Sequence, residues 1–120
     1  MASGSAAGVP SRMARGEWIA LGALVASAAA LRWIVWVRTA AIFDDGPRFL
    51  AIARAMAAGE WSLALRDSFH PLYPLLTAGA HRLFLRPDSP AGWEAAGALV
   101  AVAGGSAAVA FLFLFLRGAV

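Results

Sequence analysis

The sequence has no cysteine and no lysine. Without cysteine, the chain has no disulfide framework, no thiolate metal site and no cysteine nucleophile. All ten basic residues are therefore arginines, and they are spread along the chain. A nucleic-acid-binding arm would gather them into a dense basic run, so we expect no nucleic-acid partner.

Charge of either sign is also scarce. Only 14% of the 120 residues are charged, whereas 61% are hydrophobic. An ordinary soluble domain has about 25% charged and about 45–50% apolar residues. The composition therefore predicts a membrane protein, and the apolar lengths described next predict that it is all-α.

Two apolar segments, 17–38 and 91–116, are each long enough to span a bilayer as a helix. Between Trp18 and Val37 the single charged residue is Arg32, which lies near one end, where its side chain can reach the interface. An alternative is a cleaved signal peptide, because Ala28–Ala30 could form a small-residue cleavage site. The apolar run continues to Val37, which favours a retained helix. Tryptophans lie near both ends of this segment, as in an aromatic belt: Trp18, Trp33 and Trp36.

Small residues recur within both segments. Gly22, Ala26 and Ala30 follow one another at intervals of four, which predicts a smooth face for a neighbouring helix. In the second segment, three consecutive small residues lie near the middle: Gly104, Gly105 and Ser106. The remaining parts are a flexible tail at 1–16, a loop at 39–90 and a short tail at 117–120.

The loop is predicted to contain two amphipathic helices that lie at the membrane interface, near 46–58 and 71–85. In the first, the apolar residues recur at i, i+3, i+4 and i+7. Asp45 suits its N-cap and Gly59 the position after its end. The residues at i, i+3, i+4 and i+7 are Phe49, Ile52, Ala53 and Met56, and they form one apolar face of the helix.

The second amphipathic helix has leucines on one face and polar side chains on the other. The leucine face carries Leu72, Leu75, Leu76, Gly79 and Leu83, and the opposite face carries Tyr73, Thr77 and His81. We place His81 with Arg82 on a polar face and assign it no role. Residues 60–70 show no clear period.

Two stretches of the loop resemble a known family. The first reads Asp44-Asp45-Gly46-Pro47-Arg48-Phe49 and the second His70-Pro71-Leu72-Tyr73-Pro74. With the amphipathic helix between them, they resemble the N-terminal part of polytopic membrane glycosyltransferases that use lipid-phosphate-linked sugar donors. This group, of the glycosyltransferase family 39 type, includes protein O-mannosyltransferases and the aminoarabinose transferases of lipid A.

The resemblance implies roles for five residues. Asp45, with Asp44 as second choice, would act as general base on an acceptor hydroxyl. Arg48, His70 and Tyr73 would contact the polyprenyl-phosphate-linked sugar donor. Simpler interpretations are Asp45 as a helix cap, Arg48 as a headgroup-facing side chain and Tyr73 as an interfacial anchor. His70 could simply mark the end of the loop. Two adjacent carboxylates without a third ligand do not predict a metal site, and we expect no cofactor.

The chain is much shorter than members of that family, which have many more spanning helices. We therefore expect an N-terminal fragment of such an enzyme, inactive alone. The alternative is a small two-span membrane protein that packs with partner transmembrane helices and has no catalytic activity. Either reading predicts a multi-pass protein of the cell (inner) membrane, in contact with membrane lipid. Counting arginines favours a cytoplasmic loop, whereas the resemblance implies an extracytoplasmic one.

Overall fold

The computed structural model describes residues 13–38, 45–66, 70–84 and 88–119. Across these ranges the regular structure is entirely helical. The described helices are α1 (Arg15–Arg38), α2 (Asp45–Ala57), α3 (Trp61–Ala64), α4 (Leu72–Phe84) and α5 (Pro90–Ala119). The predicted all-α class is confirmed for this part of the chain.

Helices α1 and α5 are the two long apolar elements, and both are long and apolar enough to cross a membrane. With 24 and 30 residues, they measure about 36 Å and 45 Å at the usual rise per residue. They pack side by side along their lengths. Arg117 Nε donates to Glu17 Oε1 at 2.7 Å, so the start of α1 lies beside the end of α5 and the pair is antiparallel.

A second contact fixes the register of this pair. The guanidinium of Arg32 lies against the backbone of Gly105, where an added Cβ would come within 2.0 Å of Arg32 Nε. Any larger residue at 105 would have to displace the arginine. Arg38, at the end of α1, lies six residues after Arg32. Because the two helices are antiparallel, Arg38 is level with about residue 99 of α5, six residues before Gly105.

Helix α1 contacts α5 through a different face from the small-residue one. Ala28 is buried, and Leu21, Val25 and Ala29 are half-buried. Gly22, Ala26 and Ala30 are exposed, and an added Cβ at Gly22 would meet nothing within 4 Å. The smooth face predicted for a neighbouring helix is therefore not the one that α5 uses.

Helix α2 ends in a Schellman motif at Gly59. The N–H of Glu60 donates to Ala55 O at 2.8 Å, and that of Gly59 to Met56 O at 3.1 Å. Gly59 has a φ of 81°, which an L side chain adopts only with strain. The predicted position of Gly59 just beyond the helix is confirmed. The predicted apolar face is also confirmed, because Ile52, Ala53 and Met56 are buried.

Helix α4 packs with its polar face inward. Its buried residues are Pro74, Thr77, Ala78 and His81. The leucine face is exposed instead, with Leu83 at 76%. His81 therefore does not share an exposed polar face with Arg82, and that prediction is wrong.

The short helix α3 lies in the segment for which the sequence showed no period. It has only one turn, too short to display one, and its buried residue is Ala64. Helices α2 and α4 pack against each other, and α4 also packs on the first turns of α5. These helices form a layer beside the α1–α5 pair, which we call the α2–α4 layer. Its buried residues and those of α5 that it contacts include Ile52, Met56, Ala64, Ala78 and Trp93.

The Schellman motif generates a stability prediction. Gly59→Ala should lower the free energy of unfolding by about 1–2 kcal/mol, because alanine must adopt the left-handed conformation. The matched control is Gly79→Ala, inside α4, where an added Cβ meets nothing within 4 Å. That change should be neutral or stabilising by up to about 1 kcal/mol. Circular dichroism of unfolding in detergent measures both, and equal effects would contradict the motif.

Candidate functional site

The candidate site lies where α2 and α4 begin. Asp45 is the first residue of α2, and Arg48 follows within the first turn. Both are exposed, and a spacing of three places them on neighbouring positions of the helix surface. A carboxylate at this end of a helix is stabilised by the helix dipole. Asp44 lies outside the described residues.

The Asp45 side chain makes no hydrogen bond to the part of the chain that the structure describes. Asp45 is the first described residue of α2, and the residue before it lies outside the described ranges, so its role as an N-cap stays a prediction. The carboxylate is left open to solvent. Its position therefore suits contact with a molecule that approaches the start of α2.

Phe49 and Tyr73 join the two stretches that the sequence singled out. Their rings meet edge to face, with centroids 5.5 Å apart. An aromatic pair of this geometry contributes about 0.5–1.5 kcal/mol beyond its buried area. Since Phe49 is one turn from Asp45 and Tyr73 is in the first turn of α4, the acidic stretch and the Pro-Leu-Tyr stretch lie side by side.

Tyr73 also reaches α5. Its hydroxyl lies so close to Gly97 that a Cβ added there would be 2.8 Å away. Gly97 is two residues before the point on α5 that is level with the end of α1. The start of α2, the start of α4 and the end of α1 therefore lie at a similar height along α5.

Burial raises the pKa of the Tyr73 phenol above its ordinary value of 10.0. The nearby Thr77 hydroxyl opposes this in part, although the geometry between them falls short of a hydrogen bond. The phenol therefore stays protonated at any physiological pH. It can donate a hydrogen bond but cannot act as a base there.

His70 is exposed at the residue before the turn into α4. It takes part in no hydrogen bond or ion pair with the described residues. Through the Phe49–Tyr73 contact, the structure thus places the helical turn that carries Asp45 and Arg48 beside the first turn of α4, and His70 precedes Tyr73 by three residues. Among the described ranges, no three potential metal-ligating side chains converge.

A second cluster, which the sequence analysis missed, lies at the opposite ends of α2 and α4. The His81 ring stacks on Trp93 with centroids 3.8 Å apart and planes 6° from parallel. Arg54 Cζ lies 5.6 Å from the centroid of the Trp93 ring. The Trp93 indole N–H donates to Asp88 Oδ1. The spacing of four had placed His81 on one face with Tyr73 and Thr77, but no local spacing in the sequence links that face to Arg54 or Trp93.

No family model, curated protein or solved structure matches the chain.

The single tyrosine makes the Tyr73 environment directly measurable. We expect the tyrosinate absorbance of the folded protein to develop at a pH above 10, and near 10 after denaturation. Because the folded-state pKa is raised, its stabilising contribution is complete below pH 10 and is lost as pH rises through the folded pKa.

Gly97→Ala supplies the structural control for this titration. The added methyl group should displace the Tyr73 hydroxyl and move the midpoint back toward 10. Gly104→Ala, where an added Cβ meets nothing within 4 Å, should leave the midpoint of the folded protein unchanged. An ordinary midpoint in the unmodified protein would contradict the packing of Tyr73 against α5.

Proposed function

We propose that this chain is the N-terminal module of a membrane glycosyltransferase of the family 39 type. It would help to transfer a sugar from a polyprenyl-phosphate-linked donor to an acceptor hydroxyl. The observation that carries the proposal is the Phe49–Tyr73 contact, which sets the acidic stretch beside the Pro-Leu-Tyr stretch. Each stretch alone is common, and their juxtaposition beside the end of an apolar helix supports a shared site.

In the proposed reaction, Asp45 accepts the proton of the acceptor hydroxyl as its oxygen attacks the anomeric carbon of the donor sugar. The bond from that carbon to the phosphate oxygen breaks, and the lipid phosphate leaves with the electron pair. Arg48, one turn along the same helix surface, would pair with the phosphate. Tyr73 would position the start of α2 through Phe49, and His70 would contact the donor from the edge.

The setting in the membrane is part of the proposal. Helices α1 and α5 would span the bilayer of the cell (inner) membrane, and α2 and α4 would lie at one interface. Exposed leucines on α4 support this, because their side chains would otherwise face water: Leu72, Leu75, Leu76 and Leu83. Two spanning helices cannot enclose both a lipid donor and an acceptor, so further spanning helices would complete the site.

A second candidate function is a two-span protein that packs with a partner and has no chemistry. The observation that favours it is the uncovered face of α1 formed by Gly22, Ala26 and Ala30. Small residues let membrane helices approach closely. Under this reading, Gly22→Leu would release a co-purifying membrane partner, and substitution of Asp45 would change nothing.

The test of the chemistry is Asp45→Asn, introduced into the gene in its native setting. Asparagine keeps the size of the side chain but cannot accept the proton, so sugar transfer by the membranes should fall by roughly 10²–10⁴-fold. Asp44→Asn should lower sugar transfer much less, and Arg48→Ala should weaken donor binding. The matched control is Glu60→Gln, an exposed carboxylate just beyond the other end of α2, which should leave transfer unchanged. Full transfer by the Asp44→Asn/Asp45→Asn double variant would refute the general-base assignment.

The orientation has its own test. A cysteine at Ser62, exposed on α3, should react with a membrane-impermeant thiol reagent added outside intact cells. The chain has no cysteine to interfere. A cysteine at Ala119, at the end of α5 beside the start of α1, should react only after lysis. The reverse pattern would place α2–α4 on the cytoplasmic side.

A further inference from the structure

An open cleft of about 590 Å³ lies at the end of the α2–α4 layer farthest from Asp45. Its walls come from the last turns of α2 and α4 and the first turn of α5. The polar and aromatic residues in those walls are Arg54, His81, Arg82, Asp88 and Trp93. We call it the arginine cleft. Nine residues separate Arg54 from Asp45, about 14 Å along α2, so the cleft is distinct from the site proposed above.

The arginine cleft carries an excess of positive charge. Arg54 and Arg82 are both exposed, and within the described residues neither has a carboxylate within salt-bridge distance. The one acidic side chain in the cleft, Asp88, accepts the indole N–H of Trp93. Two guanidinium groups against one carboxylate leave the cleft suited to an anion.

His81 adds a second, independent observation. Its ring lines the cleft and yet is only 8% exposed, held flat against Trp93. Its Nε2 atom is buried and has no hydrogen-bond partner among the residues that the structure describes. A buried polar atom left without a partner costs about 1–3 kcal/mol. A bound ligand oxygen would remove that cost.

A purely structural role accounts for only part of this arrangement. Arg54 and Arg82 lie in the last turns of their helices, where a cation offsets the partial negative charge of the helix end. That role explains the two arginines. It does not explain an open cleft between them or the unpartnered histidine in its wall.

We propose that the arginine cleft binds a phosphate group. Guanidinium groups pair with phosphate through charge-assisted hydrogen bonds, and a histidine ring nitrogen can supply a further donor. The volume lies within the range of about 300–1,000 Å³ that holds a small molecule, so the phosphate would carry an attached group. A lipid headgroup and a soluble phosphate compound share this chemistry. The proposal does not depend on the transfer reaction.

The experiment measures binding by calorimetry to the whole chain in maltoside micelles, which contain no phosphate. Phosphatidic acid, added in mixed micelles, is the lipid probe, and inorganic phosphate is the soluble probe. Arg54→Gln/Arg82→Gln should lower the affinity about a hundredfold, since the loss of each charge-assisted hydrogen bond lowers it about tenfold. Both side chains are exposed, so the fold should survive, which circular dichroism checks.

The matched control removes the same charge elsewhere. Arg38→Gln/Arg66→Gln alters two exposed arginines outside the cleft and should leave the affinity unchanged. His81→Phe keeps a ring against Trp93 but removes the nitrogen, and should also weaken binding.

Saturable binding of phosphatidic acid alone, lost in the cleft variants, supports the proposal with a lipid headgroup as ligand. The same pattern with inorganic phosphate supports it with a soluble ligand. No saturable binding of either probe, or equal loss in both double variants, would overturn it. Undiminished binding by His81→Phe would remove His81 from the site.

Discussion

The stack of His81 on Trp93 is the contact on which the packing of α2, α4 and α5 depends. It joins the end of α4 to the first turn of α5, and Arg54 of α2 approaches the same indole ring. Trp93 is only 3% exposed, so its loss would leave a large gap between three helices. Truncating a buried tryptophan costs about 3–5 kcal/mol. The Phe49–Tyr73 contact at the other end then follows from the same alignment of α2 with α4.

The helices themselves could be predicted from the sequence. Apolar length alone indicates α1 and α5, and the i, i+3, i+4, i+7 pattern with Gly59 indicates α2 and its end. The direction in which α4 faces could not be predicted. Its sequence has a leucine face and a polar face, and a periodic pattern does not say which of them packs against the other helices. In the fold, Thr77 and His81 pack inward while Leu76 and Leu83 are exposed, the reverse of a helix on a water-soluble core.

The candidate site was predictable only in part. Asp45, Arg48 and Tyr73 were proposed from short motifs, because the residues within each motif are close in the chain. The Arg54–His81–Trp93 group was missed because its members come from three helices and no local spacing links them. Helix α2 relates the two groups, with Asp45 at its start and Arg54 in its last turn. One rigid helix would thus hold a proposed catalytic carboxylate and a proposed phosphate cleft at a fixed separation.

We propose that this fold lies in a bilayer with the leucine face of α4 toward lipid and its polar face toward protein. Spin labels at Leu76 and at Arg82, in the protein reconstituted in liposomes, test it most directly. Both positions are exposed and lie on the same helix. We predict that the Leu76 label is relaxed by oxygen and protected from a water-soluble nickel chelate, while the Arg82 label is accessible to the chelate. Equal access of the chelate to both labels would contradict it.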